Sequence, residues 1–125
     1  MRKRNRQFNL IKKTLLQSGY EVHLVNSAKN RKPYTLARDT KGYLLPDDLK
    51  IYIDKHLGLN DRVITLVHEL LHEVHPDWEE DRVEDNAQRI FNKLNVDQLG
   101  FLQFFVLGKG DVRNFMVGRR ALALA

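Results

Sequence analysis

The chain has 125 residues, is 42% hydrophobic and carries a formal net charge of +5, which is the size and composition of one folded domain with a modest core. No apolar run is long enough to span a bilayer, so a transmembrane helix is excluded. There is no cysteine, which removes disulfides, thiol catalysis, Cys-based zinc sites and the cysteine-ligated deformylase type of site. Any metal here must be held by His, Asp or Glu.

The N-terminus, Met1-Arg2-Lys3-Arg4-Asn5-Arg6-Gln7-Phe8, has the charge that opens a signal peptide. Lys12 and Lys13 interrupt the apolar region that would have to follow, and the expected location is cytoplasmic. Much of the positive charge lies in the first thirteen residues and in Lys29-Asn30-Arg31-Lys32. A basic balance admits a nucleic acid or an acidic partner, but no nucleic-acid motif accompanies it, and a solvated surface is the simpler reading. No membrane association is expected.

In chain order, Phe8, Leu10, Ile11, Leu15 and Leu16 predict an amphipathic helix over 6–18, stopped at Ser18-Gly19. Tyr20 to Val25 alternates and reads as a strand. A basic loop, Asn26 to Pro33, leads to a second short strand at 34–38. Asp39 to Gly42 turns the chain into Tyr43-Leu44-Leu45, giving a hairpin. After Pro46-Asp47-Asp48, Leu49 to Asp54 is the best strand, with Leu49, Ile51 and Ile53 on one face. Asn60-Asp61 offers an N-cap for a helix with Val63, Leu66, Val67, Leu70 and Leu71 as its core side, ending near His75 before Pro76. Asp77, with Glu80 as capping-box partner, starts the next helix, which buries Val83, Ala87, Ile90 and Leu94. An apolar block, 99–107, and a last segment with Val112, Phe115, Met116 and Val117 follow. The fold class is α+β in one domain, 1–125, with a small, mostly antiparallel sheet followed by helices.

The chemistry sits in His68-Glu69-Leu70-Leu71-His72, an H-E-x-x-H motif. Two histidines four apart lie one above the other on one helix face, as a tetrahedral zinc ion requires of two imidazoles. Glu69 is then the general base for water, whose pKa zinc lowers to about 7. Two partly buried histidines and a solvated glutamate on an amphipathic helix would give the same five letters, so a third ligand has to be found.

If the chain pivots near residue 77 into an antiparallel helix pair, His68 is level with about residue 86 and His72 with about residue 82. Glu84 falls between them, beside the apolar stripe, and is the favoured third ligand. Glu80 is nearer the loop and is explained by capping, but stays open as the alternative. His75, at the helix end, suits a capping role or a place near the substrate. His23 and His56 suit structural or solvated roles. Leu49–Asp54 offers an edge along which an extended peptide can pair. Tyr52 and His75 are candidate contacts for the substrate or its oxyanion.

The stretch from Ile51-Tyr52-Ile53-Asp54 through Arg62 to His72, then Pro76-Asp77, Glu80 and Val83-Glu84-Asp85-Asn86-Ala87, resembles small metallopeptidase-like proteins of phages and prophages, similar to the ImmA/IrrE family of zincins. The resemblance covers about a third of the chain. It implies a minimal zincin (gluzincin) fold, with His68, His72 and Glu84 as zinc ligands and Glu69 as base. The link from His72 to Glu84 is short for glutamate-type zincins, which admits Glu80 instead. No helix-turn-helix domain accompanies the motif, so the family's targets do not carry over.

The expected function is a zinc-dependent endopeptidase, in a host cytoplasm if phage-encoded, acting on a host or phage protein. The alternative is a non-catalytic module of the same fold that contacts nucleic acid or a protein through its basic surface. In a latent variant of the first, the apolar segment 99–117 covers the cleft.

Overall fold

A computed structural model describes residues 6–26 and 41–107. The second short strand at 34–38, most of the basic loop and the last segment around Phe115 lie outside the described residues. The element order is α1 (Arg6–Gln17), β1 (Glu21–Val25), β2 (Gly42–Leu45), β3 (Lys50–Asp54), α2 (Leu59–Val74), α3 (Glu80–Asn92) and α4 (Val96–Phe105). Among the described residues no helix is long and apolar enough to cross a membrane.

The fold is α+β, but the sheet is mixed. Its order is β1-β3-β2, with β1 parallel and β2 antiparallel to β3. The central strand is therefore β3, and the edge role expected for it is corrected. Its residues explain the placement, because Ile51, Tyr52 and Ile53 are all buried, and a strand apolar on both faces belongs inside a sheet. The strand begins one residue later than expected. Leu49 is 40% exposed and sits in the preceding turn at φ +53°, a left-handed conformation that a leucine adopts at a cost.

One core joins the elements. α1 contributes Phe8, Ile11 and Leu15, while Leu10 and Leu16 face solvent. α3 contributes Val83, Ala87 and Ile90. α2 lies at the centre and packs on α1, α3, α4, β2 and β3. Val63, Leu66, Val67, Leu70 and Leu71 are fully buried, and their three-and-four spacing is the apolar stripe of an amphipathic helix.

The helix starts differ from the sequence expectation. α2 begins after Gly58 with no side-chain cap, so Asn60 and Asp61 lie inside its first turn. Arg62 ties that end down instead, donating to the carbonyls of Leu57, Lys55 and Val106 at 2.9, 2.7 and 3.0 Å. α3 begins after Glu79, again without a side-chain cap, so the Asp77 cap and its box with Glu80 do not form. A box of that kind occurs at α4, where Asn95 and Gln98 bond reciprocally at 2.8 and 3.0 Å.

β2 approaches α2 closely at Gly42. A Cβ there would lie 2.5 Å from the Thr65 methyl and 3.2 Å from the Tyr52 carbonyl. Gly42→Ala is expected to destabilise the fold by roughly 1–3 kcal/mol, the usual cost of overpacking, in urea denaturation. Thr65→Ser, which deletes the methyl and keeps the hydroxyl bond to Asp61 O at 2.7 Å, should recover part of that loss in the double variant. Strictly additive effects would show that the close approach is not the cause.

Candidate metal centre

The burial of 63, 66, 67, 70 and 71 sets the rotation of α2 about its axis. Asp61, Thr65, His68 and His72, spaced four, three and four apart, then share the opposite stripe. These residues, with Ile64 and Glu69, form one wall of a cavity of about 740 Å³. Lys41 and Gly42 form a second wall, and Glu80, Glu84, Asp85 and Gln88 of α3 a third.

Within it the imidazoles of His68 and His72 lie 4.9 Å apart by ring centroids. Both point their Nε2 at one carboxylate, that of Glu80. His68 Nε2 is 2.5 Å from Glu80 Oε1, and His72 Nε2 is 3.1 Å from Glu80 Oε2. Ligand atoms of His68, Glu69 and His72 all fall within 4.8 Å of one another. Burial holds His68 below the ordinary imidazole pKa; Glu80 opposes that shift and His72 adds to it. A neutral imidazole is the form that ligates a metal.

Glu69 is 8% exposed and has no hydrogen-bond partner among the described residues. Burial, and then the Glu80 charge, push its pKa up to about 7. A carboxylate desolvated in this way favours its protonated form. A Cβ on Gly42 would lie 3.4 Å from the Glu69 Cγ, and the Glu69 side chain lines the cavity.

Glu84, the favoured third ligand from sequence, lines the same cavity, but the carboxylate that bridges the two histidines is Glu80. The connection spans 75–79 and is centred on residue 77 as expected, but Glu80, the first residue of α3, carries its carboxylate onto both imidazoles, where backbone level alone favours Glu84. This turn is held by a stack, with His75 on Trp78 at 3.7 Å and 5° between ring planes and the Arg82 guanidinium 4.3 Å from the Trp78 ring. His75 Nε2 is also 3.0 Å from Gln7 Oε1.

Among the described residues, His75 and Tyr52, the expected contacts for the substrate or its oxyanion, are not among those that line the cavity. Tyr52 is buried in the middle of the sheet, stacked on His23 at 5.5 Å. His23 pairs with Glu21 and His56 with Asp54, both away from the cavity. α4 does not line it either. Its Leu102 and the following Val106 are buried in the core, so the described part of the 99–117 segment does not cover the cleft. Asp61 and Thr65 were legible as cavity residues from their spacing to His68. Gly42 was not, because only the sheet pairing brings it there.

Compared with known proteins, the chain matches no family model, no curated protein and no solved structure.

The raised pKa of Glu69 makes a stability statement. The folded state holds this proton more tightly than the unfolded chain. Stability from this group is therefore present below pH 4.5 and lost as pH rises towards about 7. In EDTA, Glu69→Gln should match wild type near pH 4.5 and exceed it by about 1–3 kcal/mol at pH 8. Urea denaturation at the two pH values reads this directly, and a difference independent of pH would contradict it.

Proposed function

We propose that this chain is a zinc-dependent endopeptidase that hydrolyses a peptide bond in a protein or peptide substrate. The observation that carries the reading is the convergence of His68 and His72 on one carboxylate beside the buried, unpartnered Glu69. Two imidazole nitrogens facing the two oxygens of one carboxylate are the donor types of a catalytic zinc site, which leaves a fourth position open. The donors therefore fit zinc. The reading agrees with the zincin chemistry that the ImmA/IrrE resemblance implies.

Zinc bound there would supply Lewis acidity to the scissile carbonyl and the attacking water. The remaining work belongs to the chain. Glu69 accepts the proton from the water as the new C–O bond forms. It returns that proton to the nitrogen as the C–N bond breaks and the amine leaves. β2, with one sheet neighbour among the described strands, runs beside the cavity at Gly42 and offers main-chain groups to an extended segment. Glu80 is the third ligand in this reading, and Glu84 stands one turn further along the same wall. A non-catalytic module of the same shape would have no use for a desolvated acid at position 69, whose burial costs stability.

Metal content by mass spectrometry after loading with zinc and dialysis tests the assignment. Wild type, Glu84→Ala and Glu69→Gln should retain about one zinc per chain. His68→Ala and Glu80→Ala should lose it. On a mixture of internally quenched peptides, Glu69→Gln should be slower by roughly 10²–10⁴-fold. A wild type that retains no zinc, or a Glu69→Gln variant that cleaves at the wild-type rate, would refute the reading.

A further inference from the structure

We infer that the His75–Trp78–Arg82 stack selects Glu80 over Glu84 as the third ligand, by clamping the first turn of α3 against the end of α2. The three are positioning residues, acting on the metal centre through the backbone that carries Glu80. Their role presupposes the zinc centre proposed above.

Glu80 is the first residue of α3. A helix is least restrained there, because its first four N–H groups have no partner within it. A side-chain cap is the usual remedy, and α3 has none. Glu84 lies one turn further in, where the helical bonds are complete, and backbone level favours it as well. Yet the carboxylate that meets both imidazoles is that of Glu80. Something other than the helix itself must therefore hold the first turn in place.

The stack is built to do so. His75 is the C-cap of α2, Trp78 lies in the turn, and Arg82 is in the first turn of α3. Contacts run through all three, with His75 on Trp78 at 3.7 Å and the Arg82 guanidinium 4.3 Å from the same indole. Gln7 of α1 secures the His75 end at 3.0 Å, and Trp78 also packs against the core. A helix turns about 100° per residue, so Arg82 and Glu80 flank the buried Val83 on opposite sides. A hold on Arg82 thus fixes the first turn without entering the cavity. Arg82 has Glu79, Glu80, Asp81, Glu84 and Asp85 within three residues in the sequence. It makes no ion pair among the described residues, and its guanidinium lies over the indole instead.

The test reads zinc affinity and needs no turnover. Dissociation constants for zinc are measured on the full chain by competition with a chromophoric chelator. Trp78→Ala should weaken binding about tenfold where Glu80 is present and less than about twofold in the Glu80→Ala background, the non-additivity expected of coupled residues. Glu84→Ala should cost less than about twofold in the wild type and about tenfold beside Trp78→Ala, as Glu84 takes over. Trp78→Phe, which keeps an aromatic face for both neighbours, should bind within about twofold of wild type. Arg82→Ala removes an exposed side chain and leaves the core intact, so it carries the test if Trp78→Ala does not fold; its coupling to Glu80 should be smaller but of the same sign. Ile90→Val, on the buried stripe of α3, should lower the urea midpoint and leave zinc affinity unchanged. Additive costs for the stack and Glu80 variants, or an equal loss of affinity in Ile90→Val, would overturn the inference and leave the zinc centre standing. A wild type that binds no zinc, or binds it equally well as Glu80→Ala, would overturn both.

Discussion

The rotational setting of α2 is the constraint on which the rest of the site depends. Five aliphatic side chains, Val63, Leu66, Val67, Leu70 and Leu71, are removed from solvent completely. Each contributes roughly 1.5–3 kcal/mol on burial. Turning the helix by a single residue would expose most of that surface and bury His68, so the phase is held far more strongly than any polar contact could hold it. With the phase fixed, His68 and His72 have only one direction in which to point. The same packing also offsets the cost of desolvating Glu69, which the helix must carry between the cavity stripe and the core.

The second constraint is the turn between α2 and α3. Pro76 ends the helical path, and the His75–Trp78–Arg82 stack gives the connection a defined shape. Glu80 is then the first helical residue, where the positive end of α3 favours a carboxylate. Its side chain is 61% exposed, so burial does not hold it against the imidazoles; the two nitrogens do. A carboxylate kept by partners on an adjacent helix is well suited to exchange them for a shared cation.

The sequence made the periodic elements legible and left the connections obscure. α1, β1, β3 and the core faces of α2 and α3 follow from spacing alone, because burial of an apolar stripe leaves little choice. The histidine pair and Glu69 follow from the same spacing. The choice between Glu80 and Glu84 does not, since both line the same wall of the cavity and the direction each side chain takes decides between them. The order of the sheet was hidden as well. Tyr52, between Ile51 and Ile53, is the residue that marks β3 as buried on both faces, yet a tyrosine serves equally well at an edge. The place of Gly42 beside Glu69 depends on the antiparallel pairing of β2 with β3 and on β3 packing under α2, both of them long-range events.

Charge links the fold to the site on two length scales. At physiological salt, exposed charges act over about 8 Å, so a net charge of +5 acts on encounter and has little say inside the cavity. There the carboxylates of α2 and α3 lie close enough to act together. They raise the cost of a further negative charge, which is why Glu80 lifts the pKa of Glu69. A cation held by the two histidines would relieve that repulsion, and the residues that would hold it are ones whose placement the core of α2 has already decided.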